Sequence, residues 1–226
     1  MPELFKKCAR TVLRAAGFEL RRIRPLWKDS AGFIEILDQI DGLTLISPDR
    51  CFMLYQFACY ARNLPGELAE VGVYRGGTAL LLASTCSEKI LSLFDTFRGM
   101  PAVDKQIDCH RAGDFGDTSL EAVRSRLHAY SNVEFFPGFF PDTARPVEDR
   151  RFALVYVDVD IFQSTRDALA FFYPRLVPGG VMVFDDYLQP ACPGVEKAIQ
   201  EFLQTTANHP IQTTVNQCVL IKPPGT

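Results

Sequence analysis

The sequence lacks the closely spaced cysteines and histidines that mark a disulfide framework or a zinc site. Its seven cysteines are scattered singly, their number is odd, and no C-x-x-C pair occurs. The three histidines, His110, His128 and His209, show no spacing typical of metal ligands, so we assign them no role. Single cysteines in this arrangement are typical of reduced thiols in an intracellular protein. The pattern predicts a cytoplasmic protein with neither a disulfide framework nor a zinc site.

Long apolar runs are also absent. No run of about eighteen apolar residues occurs, so no membrane span is expected. The N-terminus is basic, but no apolar segment follows it, which argues against a secretory signal peptide.

Charge is unevenly distributed along the chain. Residues 1–24 hold seven basic and two acidic side chains, a local charge of +5 within a net charge of −3, so the remainder carries −8. An acidic body argues against general nucleic-acid binding. Residues 3–16 predict an amphipathic helix with a basic face. This helix is interpreted as a docking element with a solvated basic face or, alternatively, as a peripheral contact with an anionic membrane surface.

The stretch from Phe152 to Tyr187 has the clearest pattern in the chain. Two continuous apolar runs, Ala153–Val157 and Val181–Phe184, flank a helical pattern, and Pro178-Gly179-Gly180 predicts a turn before the second run. Continuous apolar runs are typical of parallel strands that are covered on both faces. We therefore expect a β–α–β unit in the centre of a parallel sheet.

Each apolar run of this unit ends in a pair of acids. The pairs are Asp158 with Asp160, and Asp185 with Asp186. The carboxyl ends of neighbouring parallel strands are where open α/β sheets bind ligands. Crowded carboxylates disfavour their ionised forms unless a cation lies among them, and oxygen ligands suit Mg²⁺. Because Ser164 and Thr165 offer N-cap oxygens to the following helix, the aspartates are not needed for capping.

An upstream segment, residues 67–84, predicts a strand, a glycine turn and a helix. The turn reads E-x-G-x-x-x-G, with Glu70, Gly72 and Gly76 at its defining positions. Glycines let the backbone approach a ligand, and the helix start offers unpaired N–H groups. The pattern is neither the G-x-G-x-x-G of dinucleotide enzymes nor a P-loop, and a tight turn without a ligand is the alternative. Asp95 favours ligand binding, because an acid after the second strand can accept both hydroxyls of a ribose.

The remaining patterns complete an α/β fold. Residues 97–118 predict an acid-rich loop that is long enough to act as a lid. A helix over 119–130, a strand over 133–136, a short helix over 142–147 and a helix over 195–206 are also predicted. Ile211–Val215 and Cys218–Lys222, joined at Asn216-Gln217, predict a hairpin, so the last strand is antiparallel to its neighbour.

These segments together resemble class I S-adenosylmethionine-dependent methyltransferases and, more narrowly, the macrocin O-methyltransferase family. The resemblance runs from about residue 44 to residue 222 and is carried by LPGELAEVGVYRGGTA, LFDTFRGMP, GDFGDTSLEAVRSRL, PGFFPDT, DVDIFQST and PGGVMVFDDY. It implies a Rossmann-like α/β fold whose seven-stranded sheet is mostly parallel, with an antiparallel last strand and helices on both faces. Residues 1–43 then form a basic helix with a lid-like segment, and residues 44–226 form the methyltransferase domain.

The same resemblance implies a reaction, which is transfer of a methyl group from S-adenosylmethionine to a sugar hydroxyl with the help of Mg²⁺. By matching positions, Asp158, Asp185 and Asp186 are the expected metal ligands, and Asp160 is the expected base. The positions expected to bind the cofactor are Glu70, Gly72, Tyr74, Gly76, Thr78, Asp95, Thr96, Gly138, Phe139 and Asp158. The family usually reads D-G-D-[LW]-Y where this chain has DVDIF, so a local tyrosine contact is in doubt. The acceptor is expected to be a small molecule, and a homo-oligomer is left open.

Three other functions fit part of the pattern. A metal-dependent glycosyltransferase also uses D-x-D, but it would not need the glycine turn followed by Asp95. A phosphatase of the haloacid-dehalogenase type carries D-x-D at the start of its fold, whereas here the motif lies late in the chain. A scaffold that binds S-adenosylmethionine without catalysis would not need all four acids.

Overall fold

The computed structural model describes residues 9, 11–17, 25–213 and 216–224. Residues 11–15 are helical, in agreement with part of the helix predicted over 3–16, and most of the rest of that helix lies outside the described residues. The proposed membrane contact of its basic face therefore stays a prediction. None of the helices in the described part of the chain is long and apolar enough to cross a membrane.

The described residues form a seven-stranded mixed sheet with the strand order β3-β2-β1-β4-β5-β7-β6. Strands β1 to β5 pair in parallel, and β7 runs antiparallel to both β5 and β6. The strands are β1 (Glu67–Val71), β2 (Leu91–Asp95), β3 (Val133–Pro137), β4 (Phe152–Val157), β5 (Leu176–Phe184), β6 (Ile211–Gln212) and β7 (Cys218–Ile221). The predicted parallel sheet with an antiparallel last strand is confirmed.

Helices cover both faces of the sheet. They are α1 (Ala31–Gln39), α2 (Pro48–Ala61), α3 (Gly77–Thr85), α4 (Leu120–Arg126), α5 (Phe162–Phe172) and α6 (Pro193–Leu203), with short 3-10 turns at Leu26–Asp29, Arg145–Val147 and Tyr173–Arg175. Successive residues of a strand point to opposite faces. Leu154 and Tyr156 of β4 accordingly join a core with α2, α3 and α4, whereas Val155 and Val157 join a second core with α5 and α6.

The predicted turn at Pro178-Gly179-Gly180 is wrong, because these residues lie within β5. The register between β4 and β5 shifts here, since Phe152 pairs with Leu176 and Leu154 pairs with Val181. The extra residues form an irregularity in the strand in which Gly179 has a φ of +80°, a value that glycine adopts without strain. The break in the apolar pattern therefore marks a bulge inside a long strand and not the start of a shorter one.

The predicted N-cap of α5 is also wrong. The helix begins at Phe162, so Ser164 and Thr165 lie inside it, and the Thr165 hydroxyl donates a hydrogen bond to the carbonyl of Ile161 at 2.8 Å. The cap comes instead from Asp108 in the long loop after β2, whose Oδ1 accepts the Phe162 N–H at 2.9 Å. This contact ties the loop to the carboxyl end of β4.

Part of the segment before residue 44 packs into the core that contains α2 and α3. Phe33 and Ile40 of α1 are buried with residues of α2 and α3. The indole N–H of Trp27 donates to Asp49 Oδ1 at 2.9 Å. The Gly77 N–H at the start of α3 donates to the Leu43 carbonyl at 3.1 Å. The division of the chain at residue 43 stays a prediction.

Candidate functional site

A deep cleft lies at the carboxyl ends of β1, β2 and β4. It contains about 1030 Å³ of empty space, including the part that is open to solvent. Of the positions predicted to bind a cofactor, these line the cleft: Gly72, Tyr74, Thr78, Asp95, Thr96, Gly138, Phe139 and Asp158.

The β1–α3 turn is pressed against the end of β4 by Gly72. This glycine has a φ of +88°, and a Cβ added to it would lie 1.8 Å from the carbonyl oxygen of Asp158. Gly76 caps α3 with a φ of +85°, and a Cβ there would lie 2.9 Å from Val123. Both glycines of the motif are therefore required by close packing and backbone conformation. Gly76 does not line the cleft, so its predicted contact with a cofactor is not visible in the geometry.

Asp95 joins two loops at the cleft. Its Oδ2 accepts the N–H groups of Val73 at 2.6 Å and Tyr74 at 3.0 Å, and its Oδ1 accepts the Phe97 N–H at 2.6 Å. The Asp95 carbonyl also accepts the Gly138 N–H at 2.9 Å. Oδ2 already accepts two N–H groups, so the acceptor site left for a ligand hydroxyl is on Oδ1, which the Thr96 hydroxyl also approaches at 3.5 Å.

Glu70 lies behind the wall of the cleft and not on its surface. Its side chain is fully buried, its Oε1 accepts the Thr78 hydroxyl, and its Oε2 has no hydrogen-bond partner among the described residues. Burial raises the pKa of Glu70 from 4.5 to about 8, and the negative charge of Asp95 adds to this effect. Glu70 can thus position Thr78, which does line the cleft.

Three of the four aspartates after β4 and β5 have carboxylates that meet. Those of Asp158, Asp160 and Asp186 offer oxygens within 4.8 Å of one another. The chain turns sharply at Asp160, which has a φ of +60°, and the Ile161 N–H donates to the Val159 carbonyl at 2.7 Å. Such a turn is strained for a residue other than glycine, and strain of this kind is common where a side chain must be aimed at a ligand.

Burial makes the ionised forms of Asp158 and Asp160 costly. It raises the pKa of Asp158 well above its ordinary value, and the charges of Asp160 and Asp186 add to the shift. Burial, followed by repulsion from Asp186, raises the pKa of Asp160 from 3.8 to about 7. The hydroxyl of the fully buried Tyr156 donates to Asp158 Oδ2 at 3.2 Å and fixes that carboxylate. A bound cation would allow all of these groups to ionise.

The fourth aspartate, Asp185, has both oxygens engaged. Its Oδ2 forms an ion pair with Arg50 Nη1, and its Oδ1 accepts from Gln217 Nε2 at 2.8 Å. The same Arg50 nitrogen lies 2.9 Å from Asp186 Oδ1. The structure therefore brings Asp160 into the group of close carboxylates and holds Asp185 beside a guanidinium.

Sequence reasoning did not single out Arg50, Gln217, Tyr156 or Asp108. Arg50 lies in the first turn of α2 and reaches acids that are about 135 positions later in the chain. Such a separation leaves no local signal. Asp108 is one of the acids of the predicted lid, but its role as a helix cap depends on the fold.

Comparisons with known proteins agree with this geometry. Residues 43–222 match the family described as macrocin-O-methyltransferase (TylF). A 4'-O-methyltransferase from Streptomyces olivaceus that acts on a rhamnosyl-tetracenomycin is 36% identical over 148 residues, which is 58% of this chain and 57% of that protein. The mycinamicin III 3''-O-methyltransferase of Micromonospora griseorubida is 32% identical over 158 residues, or 62% of this chain and 61% of that enzyme. The matched region is thus less than two thirds of the length of these relatives.

Solved structures lead to the same fold. The structure of the O-methyltransferase NovP has a TM-score of 0.69 to this chain at 24% identity, with 97% of this chain and 98% of that one covered. The predicted Rossmann-like class I methyltransferase fold is confirmed. Family membership also leaves the glycosyltransferase and phosphatase alternatives without support. Because the match of residues 43–222 covers most of the sequence, the chain belongs to the macrocin-O-methyltransferase (TylF) family.

Proposed function

We propose that this protein transfers a methyl group from S-adenosylmethionine to a sugar hydroxyl of a glycosylated small molecule, and that it needs a divalent cation. The observation that carries the proposal is a single cleft with a glycine turn and Asp95 at one end and clustered aspartates at the other. Relatives that methylate two different sugar positions support the class of acceptor.

The cofactor would lie at the end of the cleft formed by β1 and β2. Gly72 lines the cleft at this end, and Oδ1 of Asp95 can accept a hydroxyl of the ribose. Tyr74, Thr96 and Phe139 line the same region, and Glu70 supports Thr78 from behind. Gly72 packs against the Asp158 backbone, so the cofactor end of the cleft is next to the aspartates. A cofactor bound there would have its methyl group close to them.

The aspartates have the right chemistry for a hard cation. Asp158 and Asp186 line the cleft, and Asp185 follows the same strand as Asp186. Carboxylate oxygens are the ligands that Mg²⁺ prefers, and Arg50 already places a positive charge against Asp185 and Asp186. We assign Asp158, Asp185 and Asp186 as the ligands, and Asp185 Oδ2 would then exchange its ion pair with Arg50 for the cation. When bound there, the cation would lower the pKa of an acceptor hydroxyl and fix its orientation.

We assign the proton acceptor to Asp160. Its side chain lines the cleft and lies within 4.8 Å of the carboxylates of Asp158 and Asp186. A sugar hydroxyl is a poor nucleophile at neutral pH, so a carboxylate must remove its proton as the oxygen attacks the methyl carbon. The direct displacement also needs the oxygen, carbon and sulfur in line, and a rigid cleft at strand ends provides this alignment.

The proposal is tested by binding and turnover on the purified protein. Calorimetry with S-adenosylmethionine measures binding, and transfer of a labelled methyl group to a panel of deoxysugar glycosides measures activity. We expect transfer with Mg²⁺, loss of transfer with excess chelator, and recovery after Mg²⁺ is restored. Full turnover in excess chelator would contradict the metal requirement, and tight binding with no transfer to any glycoside would favour a non-catalytic scaffold.

A further inference from the structure

A second group of metal-ligating side chains lies next to the aspartate cluster. His110 comes from the loop between β2 and α4, Asp160 follows β4, and Cys192 is the N-cap residue of α6. One ligand atom from each of the three side chains lies within 4.8 Å of the others. The sequence spacing predicts no zinc site, because the three residues are far apart in the chain. The fold brings them together.

The distances between these atoms fit one ion. Cys192 Sγ lies 3.5 Å from His110 Nε2 and 3.5 Å from Asp160 Oδ1. In a tetrahedral zinc site with Zn–N near 2.0 Å, Zn–O near 2.0 Å and Zn–S near 2.3 Å, a sulfur lies about 3.5 Å from each N or O ligand. Both sulfur distances therefore match such an ion, the imidazole and carboxylate ligand atoms lie within 4.8 Å of each other, and a water can supply the fourth ligand.

The histidine is already oriented for this role. His110 Nδ1 lies 3.4 Å from Asp114 Oδ2, so the Nδ1–H tautomer can donate to this carboxylate and leave Nε2 free to bind an ion. A carboxylate behind a histidine is the usual outer support of a zinc ligand. His110 is 19% exposed and Asp114 is 41% exposed, so an ion can enter from that side, whereas Cys192 is buried.

We propose that His110, Cys192 and Asp160 form a second cation site, which takes a zinc-class divalent ion and not Mg²⁺. The reason is the donor set, since thiolate and imidazole favour zinc-class ions, whereas Mg²⁺ takes oxygen ligands. The site shares Asp160 with the aspartate cluster. A zinc-class ion bound there would therefore occupy the carboxylate that the proposed function uses as the base, next to the proposed Mg²⁺ ligands.

This coupling has a consequence for methyl transfer, and the consequence rests on the proposed function. An Asp160 carboxylate that is bound to a zinc-class ion cannot accept the proton of an acceptor hydroxyl. Zinc should then inhibit the enzyme in the presence of saturating Mg²⁺. The inhibition should be weaker in Cys192→Ser than in the wild-type protein.

Cobalt provides a test that needs no turnover. Co²⁺ bound to a thiolate gives a sulfur-to-cobalt charge-transfer absorption that oxygen ligands do not give. We expect titration of the full chain with Co²⁺ to produce this band and subsequent Zn²⁺ to remove it. Cys109→Ser is the matched control, because Cys109 is exposed and adjacent to His110, and it should behave as the wild type.

Variants of the site itself decide the outcome. Cys192→Ser should lose the band, and Asp114→Ala should weaken cobalt binding about 10–100-fold, as expected for loss of an outer support. Circular dichroism checks that each variant is folded. If Cys192→Ser is unfolded, His110→Gln provides a second test. Absence of the band in the wild type, or its persistence in Cys192→Ser, would overturn the proposal. Neither result depends on whether the protein transfers methyl groups.

Discussion

The acids at the two ends of the cleft have different hydrogen-bond partners. At the β1–β2 end the partners are neutral, since Asp95 accepts three backbone N–H groups and Glu70 accepts one hydroxyl. At the β4–β5 end, the carboxylates outnumber such donors, and Arg50 is ion-paired with two of them. Burial raises the pKa of Asp158, Asp160 and Asp185.

This difference indicates that the first end is shaped before any ligand arrives, whereas the second depends on positive charge. A carboxylate that accepts several N–H groups is held in place at any salt concentration. A group of carboxylates changes its protonation and its geometry with the cation that it meets. Substitutions at the two ends should therefore differ in what they alter, and the predictions below use that difference.

The largest effect is expected for Asp160→Asn at the aspartate end. The amide keeps the size of the side chain but cannot accept a proton, so turnover should fall by about 10²–10⁴. Mg²⁺ and S-adenosylmethionine affinities, measured by calorimetry, should change little. The exposed Asp38→Asn is the control and should keep full turnover. A matching fall in Mg²⁺ affinity would instead identify Asp160 as a metal ligand.

The sequence alone predicted much of the fold, because its elements depend on local patterns. The strands β3 and β4 were placed within one residue at each end, and the run of β4 is continuous because a buried parallel strand is a continuous apolar segment. Asp95 and the aspartate pairs follow directly from strand ends. The failures at Pro178-Gly180 and at the cap of α5 have another cause. A bulge and a turn share the same residues, and Asp108 caps α5 only through tertiary contact.

The same limit applies to the candidate site. Sequence reasoning selected all four aspartates but could not show that Asp185 is paired with Arg50, since the partners lie on different elements. It also treated His110 and Cys192 as unrelated, because ligands that meet through folding have no fixed spacing. Residues that act through long-range contacts are thus the ones that only the structure reveals.

The second prediction concerns the pH dependence of stability at the Glu70 end. Folded Glu70 keeps its proton up to about pH 8, whereas in the unfolded chain it ionises above its ordinary value of 4.5. Between pH 4.5 and about pH 8 the folded state therefore binds more protons than the unfolded state. As pH rises through this range, Glu70 lowers the free energy of unfolding of the wild type by about 1.4 kcal/mol per pH unit. Glu70→Gln has no such titration. Its stability relative to the wild type should therefore increase from about pH 5 to about pH 8.

Denaturant unfolding at several pH values measures this difference. The raised pKa values of Asp160 and Asp185 give the same direction of change, but they are present in both proteins and cancel in the comparison. The charge of Glu70 is the last of the causes that raise the pKa of Asp158, so that shift decreases slightly in Glu70→Gln. Parallel stability curves for the wild type and Glu70→Gln would mean that Glu70 is ionised in the folded state.

The third prediction tests cofactor binding at Asp95. Asp95→Ala removes the acceptor proposed for the ribose and also the hydrogen bonds that hold the loops at Val73 and Phe97. Affinity for S-adenosylmethionine should fall by roughly 2–3 kcal/mol, the range for hydrogen bonds to a charged group, with Mg²⁺ affinity unchanged. Calorimetry with Glu88→Ala, a change at an exposed acid, provides the control. Equal affinity in wild type and variant would remove Asp95 from the binding site.

The smallest effect is expected for Arg50→Met, whose Mg²⁺ affinity should change about tenfold, or 1.4 kcal/mol. This variant tests whether the aspartate end depends on positive charge in general or on one particular ion. The Arg50 guanidinium contacts Asp185 and Asp186, two of the assigned ligands, so it competes with a bound cation for their oxygens. Methionine removes this charge and keeps most of the side-chain length.

Without a cation the Arg50→Met variant should be less stable than the wild type, because acids buried beside Arg50 lose their partner. Its affinity for Mg²⁺ should rise about tenfold, and Mg²⁺ should raise its melting temperature more than that of the wild type. Arg62→Met at the exposed end of the same helix should change neither quantity. A lower Mg²⁺ affinity in Arg50→Met would mean that the guanidinium holds the carboxylates in position for the ion and does not compete with it.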